Sequence, residues 1–475
     1  MPLRGDLLLS IPLSIFAAPS PIKTTRSRCP VCLREITAEV FERGGAVYMT
    51  KSCEAHGSFE TLIAADARFY YHSTGAGGCS AGCGCADAST QESNRQAASL
   101  TRDAFDVLST CVALIEIVDS CNLTCPTCYA ASPLSVDDQV DCLSFEQFTA
   151  NVEEVLARKG CIDILQLSGG EPTIHPEFAR LLEWSLTRQG IGYVLINTNG
   201  VRLARDAAFR EELGALRAAH GRFELYMQFD GPQQQGQFEL RGADLRAVRG
   251  QAIDGAGRLG IPTTLGMVVT PQTRAHLGAA LRFGLARPHC RGLTLQPMFM
   301  SGRVPGIESA LPIARETHRP ISVGDVIQDL VAQGDGRLTI EDFTPLPCGD
   351  PNCHTMSYLI RTEAGPIGLS RLVDLNSLQG FLADRLDYRL EDLAQCGCES
   401  EPLGAILKSL EIGPHQPFRI FIKPFMDAWT FDQDRIDRCC THVIRRDGKL
   451  DSFCRYYLNG GRAGEAVSGG ASAAR

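Results

Sequence analysis

The stretch CNLTCPTCYA, Cys121 to Ala130, sets three cysteines at successive spacings of four and three residues and supplies no fourth. A structural zinc site is closed by four protein ligands. A cubane iron–sulfur cluster has four corners, so three local thiolates leave one iron with an open position. Directly upstream, ALIEIV (Ala113–Val118) has the composition of a buried strand, which puts the cysteine loop at that strand's carboxyl end. Two readings compete here: half of a zinc knuckle pair, or a cluster whose last ligand comes from elsewhere.

Further strand-like runs follow: IDILQL (Ile162–Leu167), YVLINT (Tyr193–Thr198), ELYMQF (Glu224–Phe229), TTLGMVV (Thr263–Val269) and LTLQPM (Leu293–Met298). Between them lie helix signals, among them a capping box of Ser144 with Gln147 and a Pro176 suited to a first helical turn. Six strand–helix alternations predict parallel strands with right-handed crossovers. The expected fold is α/β, a partial (β/α)6 barrel of TIM type over residues 113–305, with its active site at the carboxyl ends of the strands. SGGEP (Ser168–Pro172) ends the second strand at that mouth. Gly169 and Gly170 would let backbone approach a ligand closely, and Glu171 would accept bonds from an ammonium group. Asn197, Thr198, Asp230 and Gln296 stand at other strand ends, where each reads equally as a turn residue or a cofactor contact.

The 475-residue chain is 44% hydrophobic and 21% charged, an ordinary globular composition. Its net charge of −9 argues against nucleic acid as a partner, since phosphate binding needs a basic face. The abnormal count is twenty cysteines, gathered in tight clusters that suit metal ligation in a reducing cytoplasm better than a disulfide scaffold. Residues 1–28 begin with an apolar run resembling a signal peptide, but Asp6 and Pro12 interrupt it and it is too short to span a bilayer. A disordered leader is expected there, with peripheral contact to a membrane surface as the second reading.

The cysteines divide the rest of the chain. Residues 29–72 read as a metal ribbon in which Cys29, Cys32, Cys53 and His56 make a four-ligand set for mononuclear iron or zinc. Residues 73–112 hold a second set, Cys79, Cys83, Cys85 and Cys111. Residues 306–457 hold a third, Cys348, Cys353, Cys454 and one of Cys439 or Cys440. Residues 458–475 read as a disordered tail. Cys142, Cys161 and Cys290 are expected to be small buried apolar residues, and His276 and His318 surface residues.

CNLTCPTC followed by SGGEP at the next strand end resembles the radical S-adenosylmethionine superfamily. The resemblance implies that Cys121, Cys125 and Cys128 hold a [4Fe–4S] cluster whose fourth iron is chelated by S-adenosylmethionine, with the Gly169–Glu171 motif at the methionyl amine. Where the superfamily often has an aromatic before the third cysteine this chain has Thr127, so Tyr129 is expected to supply the adenine contact. CPVC, SCEAHGSF, GCSAGCGC, PCGDPNC, FMDAWTFDQDRIDRCC and SFCRYYLNG recur in this order in the tetraether lipid synthase and dihydropterin methyltransferase-like group, which the chain resembles over most of residues 22–459. That group's pattern has one more residue than stands between Cys83 and Cys85. The resemblance implies a rubredoxin-like N-terminal site and a C-terminal domain with auxiliary [4Fe–4S] clusters.

The expected activity is radical chemistry. One electron from a low-potential donor, a flavodoxin or ferredoxin, would cleave S-adenosylmethionine to a 5′-deoxyadenosyl radical that takes hydrogen from an unactivated carbon. The resemblance implies carbon–carbon coupling of apolar, lipid-like chains or, alternatively, methylation or modification of a pterin or peptide. A reading of another class is a non-catalytic electron-transfer or zinc-binding protein. No catalytic side chain is assigned, because protein groups in such chemistry position, shield and tune.

Overall fold

The computed structural model describes residues 21–71, 110–135, 139–305, 318–345, 349–372, 412–413 and 415–461. The leader before residue 21, Cys79, Cys83, Cys85, Cys348 and the tail after residue 461 lie outside these residues.

The chain first forms a four-stranded antiparallel sheet in the order β1 (Pro21–Arg28), β2 (Glu35–Arg43), β3 (Ala46–Cys53), β4 (Gly57–Ala64). Gly44 and Gly45, at φ +61° and +77°, turn β2 into β3, because a two-residue hairpin needs positive φ at both central positions. This sheet corrects the expected boundary at residue 29. Residues 21–28 are a strand, and its inward residues are polar: Thr25 and Ser27 are buried and bonded to Asp432 at 2.8 Å and to the Phe431 carbonyl at 2.6 Å. A strand that buries hydroxyls against specific partners lacks the apolar alternation by which strands are read.

The second sheet has twelve strands. Six run in sequence and in parallel, as expected: β5 (Val112–Val118), β6 (Ile162–Gly169), β7 (Ile191–Thr198), β8 (Phe223–Gln228), β9 (Thr263–Val269) and β10 (Cys290–Pro297). The capping box opens its helix, with Gln147 N donating to Ser144 Oγ at 3.2 Å and Ser144 N to Gln147 Oε1 at 3.1 Å. The later strands are β11 (Thr344–Pro345), β12 (Thr355–Ile360), β13 (Ile367–Gly368), β14 (Pro417–Ile422), β15 (Thr441–Ile444) and β16 (Leu450–Ser452). They join the same sheet rather than forming one of their own. β14 pairs in parallel with β10, and β15 in parallel with β5, so eight parallel strands line the interior. A continuous apolar core, from Leu165 and Ile196 to Phe418 and Ile422, packs the sheet against its helices.

Lys51 fastens the ribbon to this body. Its buried Nζ donates to Ser27 Oγ at 3.0 Å and to the carbonyls of Ala428 and Trp429 at 2.6 and 2.7 Å. Lys51→Met removes three donated bonds and leaves buried carbonyls unsatisfied. It is expected to destabilise the chain by about 2–4 kcal/mol, measured as a fall in the urea midpoint. His318 belongs to the same junction. Contrary to its expected surface position, its ring stacks on Trp429 at 4.7 Å and its backbone bridges Thr61. Cys290 is fully buried as expected, whereas Cys161 is only partly buried and is disulfide-bonded. No helix of the described residues is long and apolar enough to cross a membrane.

Candidate active site and metal centre

The ribbon's ligand atoms come from two turns. Cys29 and Cys32 flank a tight turn closed by Leu33 N donating to the Cys29 carbonyl at 3.0 Å, with Leu33 at φ +60°. Cys53 ends β3, and His56 reaches back before Gly57 starts β4. The four ligand atoms lie within 4.8 Å of one another, with Cys29 Sγ to His56 Nδ1 at 3.6 Å, Cys53 Sγ to His56 Nδ1 at 3.4 Å and Cys32 Sγ to Cys53 Sγ at 3.9 Å. A tetrahedral ion with metal–sulfur bonds of about 2.3 Å separates sulfurs by about 3.8 Å. The set therefore fits one metal ion, and the His56 imidazole holds the Cys53 thiol down at about 6.

At the other site, the cysteine loop leaves β5 and folds over the mouth of the sheet. Arg303 pins it: the backbones of Cys128 and Arg303 exchange two bonds of 2.8 Å, and Arg303 Nε donates to the Cys125 carbonyl at 2.8 Å. The glycine pair holds its start. A Cβ at Gly170 would lie 2.0 Å from the Ser120 carbonyl oxygen, and one at Gly169 2.0 Å from that of Val118. The close approach these glycines allow is thus to the cysteine loop itself. Glu171 is likewise engaged within the protein. Its buried carboxylate accepts from Thr173 N, Thr173 Oγ1, Thr198 Oγ1 and Asn199 N at 3.2, 2.6, 2.7 and 2.8 Å. Burial nonetheless raises its pKa. Through these donors Glu171 ties the second strand end to the third, while it still lines the cavity.

Cys121, Cys125, Cys128, Tyr129, Gly169, Gly170, Glu171, Asn197, Thr198, Asp230 and Gln296 all line one cavity of about 280 Å³. Asn197 joins Gln166 and Ser168 at 2.8 and 3.0 Å, and Gln296 donates to Tyr226 Oη at 2.9 Å. Tyr129 packs among Phe299, Phe453 and Tyr457, its ring 4.8 Å from the last. Asp230 is paired with two arginines. Arg241 grips it through two bonds, 2.7 and 3.0 Å, and Arg249 stands 3.3 Å away. Sequence reading missed Arg241 and Arg303; an arginine in QFELR looks like a solvated helix face until its burial is seen. Burial pushes the Cys121 thiol up to about 12, with the Glu171 charge adding, while Arg241 opposes burial at Cys125.

Cys353, Cys439, Cys440 and Cys454 neighbour one another beside the cavity-lining residues His354, Thr441 and Phe453. Cys353 Sγ lies 3.5 Å from Arg435 Nη2, and Cys454 Sγ accepts from Met426 N at 3.3 Å. Burial raises the Cys439 pKa well above its usual value, and the charges of Cys440, Cys353 and Cys454 add to it. Cys111, placed in the second set from sequence, donates through its backbone N to the Cys440 carbonyl at 3.0 Å and so lies beside the third.

Residues 115–284 match the Radical SAM superfamily, and residues 21–65 match the HMPTM N-terminal zinc ribbon domain. The chain carries a radical S-adenosylmethionine domain behind a zinc ribbon. It is 25% identical to the 7,8-dihydro-6-hydroxymethylpterin dimethyltransferase of Methanocaldococcus jannaschii over 91% of this chain and 93% of that protein. It is 31% identical to the GTP 3′,8-cyclase of Alkaliphilus oremlandii over 22% of this chain and 32% of that one. Among solved structures, Streptococcus suis SuiB matches 50% of this chain and 55% of its own at 14% identity, with a TM-score of 0.35. A radical S-adenosylmethionine domain implies a [4Fe–4S] cluster and S-adenosylmethionine. The donor set fits: three thiols on one loop face a cavity large enough to admit a further ligand. The protein is a radical S-adenosylmethionine enzyme.

Proposed function

We propose that this enzyme transfers a methyl group to a polar nitrogen heterocycle of the pterin class, held inside the barrel. The observation that carries the reading is the cavity wall. Barrel interiors made for packing are layered with branched aliphatic residues. Here Gln166, Tyr226, Gln296, Glu224 and Arg419 face the cavity instead. A saturated lipid chain would offer these groups no hydrogen-bond partner, at roughly 1–3 kcal/mol for each donor or acceptor it left unmatched. The end-to-end likeness to a protein named as a pterin dimethyltransferase supports the same choice. The second reading, coupling of lipid-like chains, is favoured by the aromatic rim of Tyr129, Phe299, Phe425 and Phe453.

In this reading Cys121, Cys125 and Cys128 hold the cluster, and the Gly169–Gly170 backbone, Asn197 and Gln296 face the cofactor. When bound, the cluster and S-adenosylmethionine supply hydrogen-atom abstraction from carbon. The chain's own work is positional: Arg303 and the glycine pair fix the loop, and the aromatic rim excludes water. Cys353, Cys454 and Cys439 or Cys440, with Cys348, are proposed as ligands of an auxiliary [4Fe–4S] cluster, and Cys79, Cys83, Cys85 and Cys111 as a second such set. A cytoplasmic setting and a flavodoxin or ferredoxin as electron donor complete the proposal.

The test is anaerobic reconstitution with iron, sulfide, dithionite and methyl-labelled S-adenosylmethionine, with 6-hydroxymethyl-7,8-dihydropterin as substrate. Formation of 5′-deoxyadenosine and label in the pterin are expected. Deoxyadenosine without label in any pterin product would overturn the methyl-transfer reading, and no deoxyadenosine would overturn catalysis itself. In a separate measurement, Cys53→Ser should lower the ribbon's metal content by close to one ion per chain while leaving iron at the other sites.

A further inference from the structure

The lowest layer of the barrel interior holds a charge pair, and nothing about the cofactor requires one there. Glu224 on β8, Thr264 on β9 and Arg419 on β14 converge on the cavity floor. Thr264 Oγ1 donates to Glu224 Oε1 at 3.0 Å, and Arg419 Nη2 stands 3.5 Å from the same oxygen. The Glu224 side chain is 4% exposed and that of Arg419 12%. Two buried charges of this kind are seldom retained for stability, because well-packed apolar residues serve as well or better. The chain also makes room for them: a Cβ at Gly292 of β10 would lie 2.9 Å from the Arg419 carbonyl oxygen and 3.3 Å from the Arg419 Cβ. The arginine reaches the floor only because β14, from the far end of the sequence, lies against a glycine.

Resting on the proposed heterocyclic substrate, we propose that Glu224 and Arg419 form a recognition floor for a 2-amino-4-oxopyrimidine edge. The Glu224 carboxylate accepts from the 2-amino and ring N–H groups, and the Arg419 guanidinium donates to the neighbouring carbonyl. Thr264 orients the carboxylate. The floor also sets which end of the substrate reacts. From Glu224 to Gln228 the strand rises by about 13 Å, and the cysteine loop lies at the upper end. A ring gripped at the floor turns its opposite side toward that loop. Tyr226 lines the wall of the layer between, its ring 2.9 Å from where a Cβ on Gly266 would sit.

The test is a fluorescence titration of the reconstituted full-length enzyme with 6-hydroxymethylpterin and with the matching 2,4-dioxo compound, 6-hydroxymethyllumazine. The lumazine turns a carbonyl toward the carboxylate in place of an amino group. Wild-type enzyme should bind the pterin at least about 100-fold more tightly, since a site built to accept N–H bonds rejects an analogue lacking them. Glu224→Gln should weaken pterin binding by about tenfold or more and reduce the preference to within about threefold. If the wild type binds the pterin but Glu224→Gln keeps both affinity and preference, the floor is overturned while the substrate reading stands. If the wild type binds neither compound, the substrate reading falls and the floor with it. Should Glu224→Gln lose its cooperative thermal transition, Thr264→Val decides: about fivefold weaker pterin binding supports the floor, and unchanged binding overturns it.

Discussion

Gly170→Ala is expected to lower 5′-deoxyadenosine formation by at least about 100-fold and to deplete iron at the cysteine loop. The new Cβ would lie 2.0 Å from the Ser120 carbonyl oxygen, 2.5 Å from its carbon and 2.8 Å from the Asp119 carbonyl oxygen. All three atoms are backbone, so no side chain can swing aside. The same segment is held by Gly170 N donating to Val118 O at 2.8 Å and Glu171 N to Ser120 O at 3.1 Å. Relief of the clash must therefore move Ser120, and Cys121 with it, away from Cys125 and Cys128. Gly170 is a cleaner site than Gly169, whose φ of +121° would add backbone strain to the clash. Iron analysis and chromatographic assay of deoxyadenosine measure the two losses, and retention of the ribbon metal shows that the fold survives. A variant with wild-type iron and wild-type rate would mean that the glycine turn does not position the loop.

The coupling explains what the sequence could and could not say. The six central strands were legible because each is a short apolar run ended by a turn signal, and IDILQL and YVLINT fall inside β6 and β7. The flanking parallel strands β14 and β15 were not, since PFRIFI carries no mark of its pairing with LTLQPM far earlier in the chain. Sequence order predicts neighbours only for consecutive elements. At the site, residue types were legible and partners were not. Glu171 stands in the cavity wall as expected, but its acceptors face Thr173, Thr198 and Asn199. Asp230 was read as a strand-end ligand and Arg241 was not read at all. Side chains that meet across a turn leave no periodic signal.

The second large effect is expected at that pair. Asp230 sits at φ +56°, a left-handed conformation that asparagine also tolerates, so Asp230→Asn changes charge and little else. Arg241 and Arg249 then keep their buried guanidiniums without the carboxylate that holds them, at a cost of about 3–5 kcal/mol. Val268 N, now 3.1 Å from Asp230 Oδ1, keeps an acceptor in the amide, which confines the loss to the ion pairs. The pH dependence identifies the cause. Burial raises the Asp230 pKa, but the two arginines outweigh it and hold the carboxyl below the usual carboxylate range. A depressed folded-state pKa contributes stability that is complete above the unfolded value of about 3.9 and is lost as pH falls through the folded value. The difference between wild type and Asp230→Asn in urea unfolding should therefore be constant above about pH 5 and shrink below about pH 4. A difference that is as large at pH 3.5 as at pH 7 would assign the loss to packing instead. Arg241 links this pair to the site, because it lines the cavity and opposes burial at the Cys125 thiol. Asp230→Asn should thus also leave the cysteine loop with less iron after reconstitution, through an arginine no longer held in place.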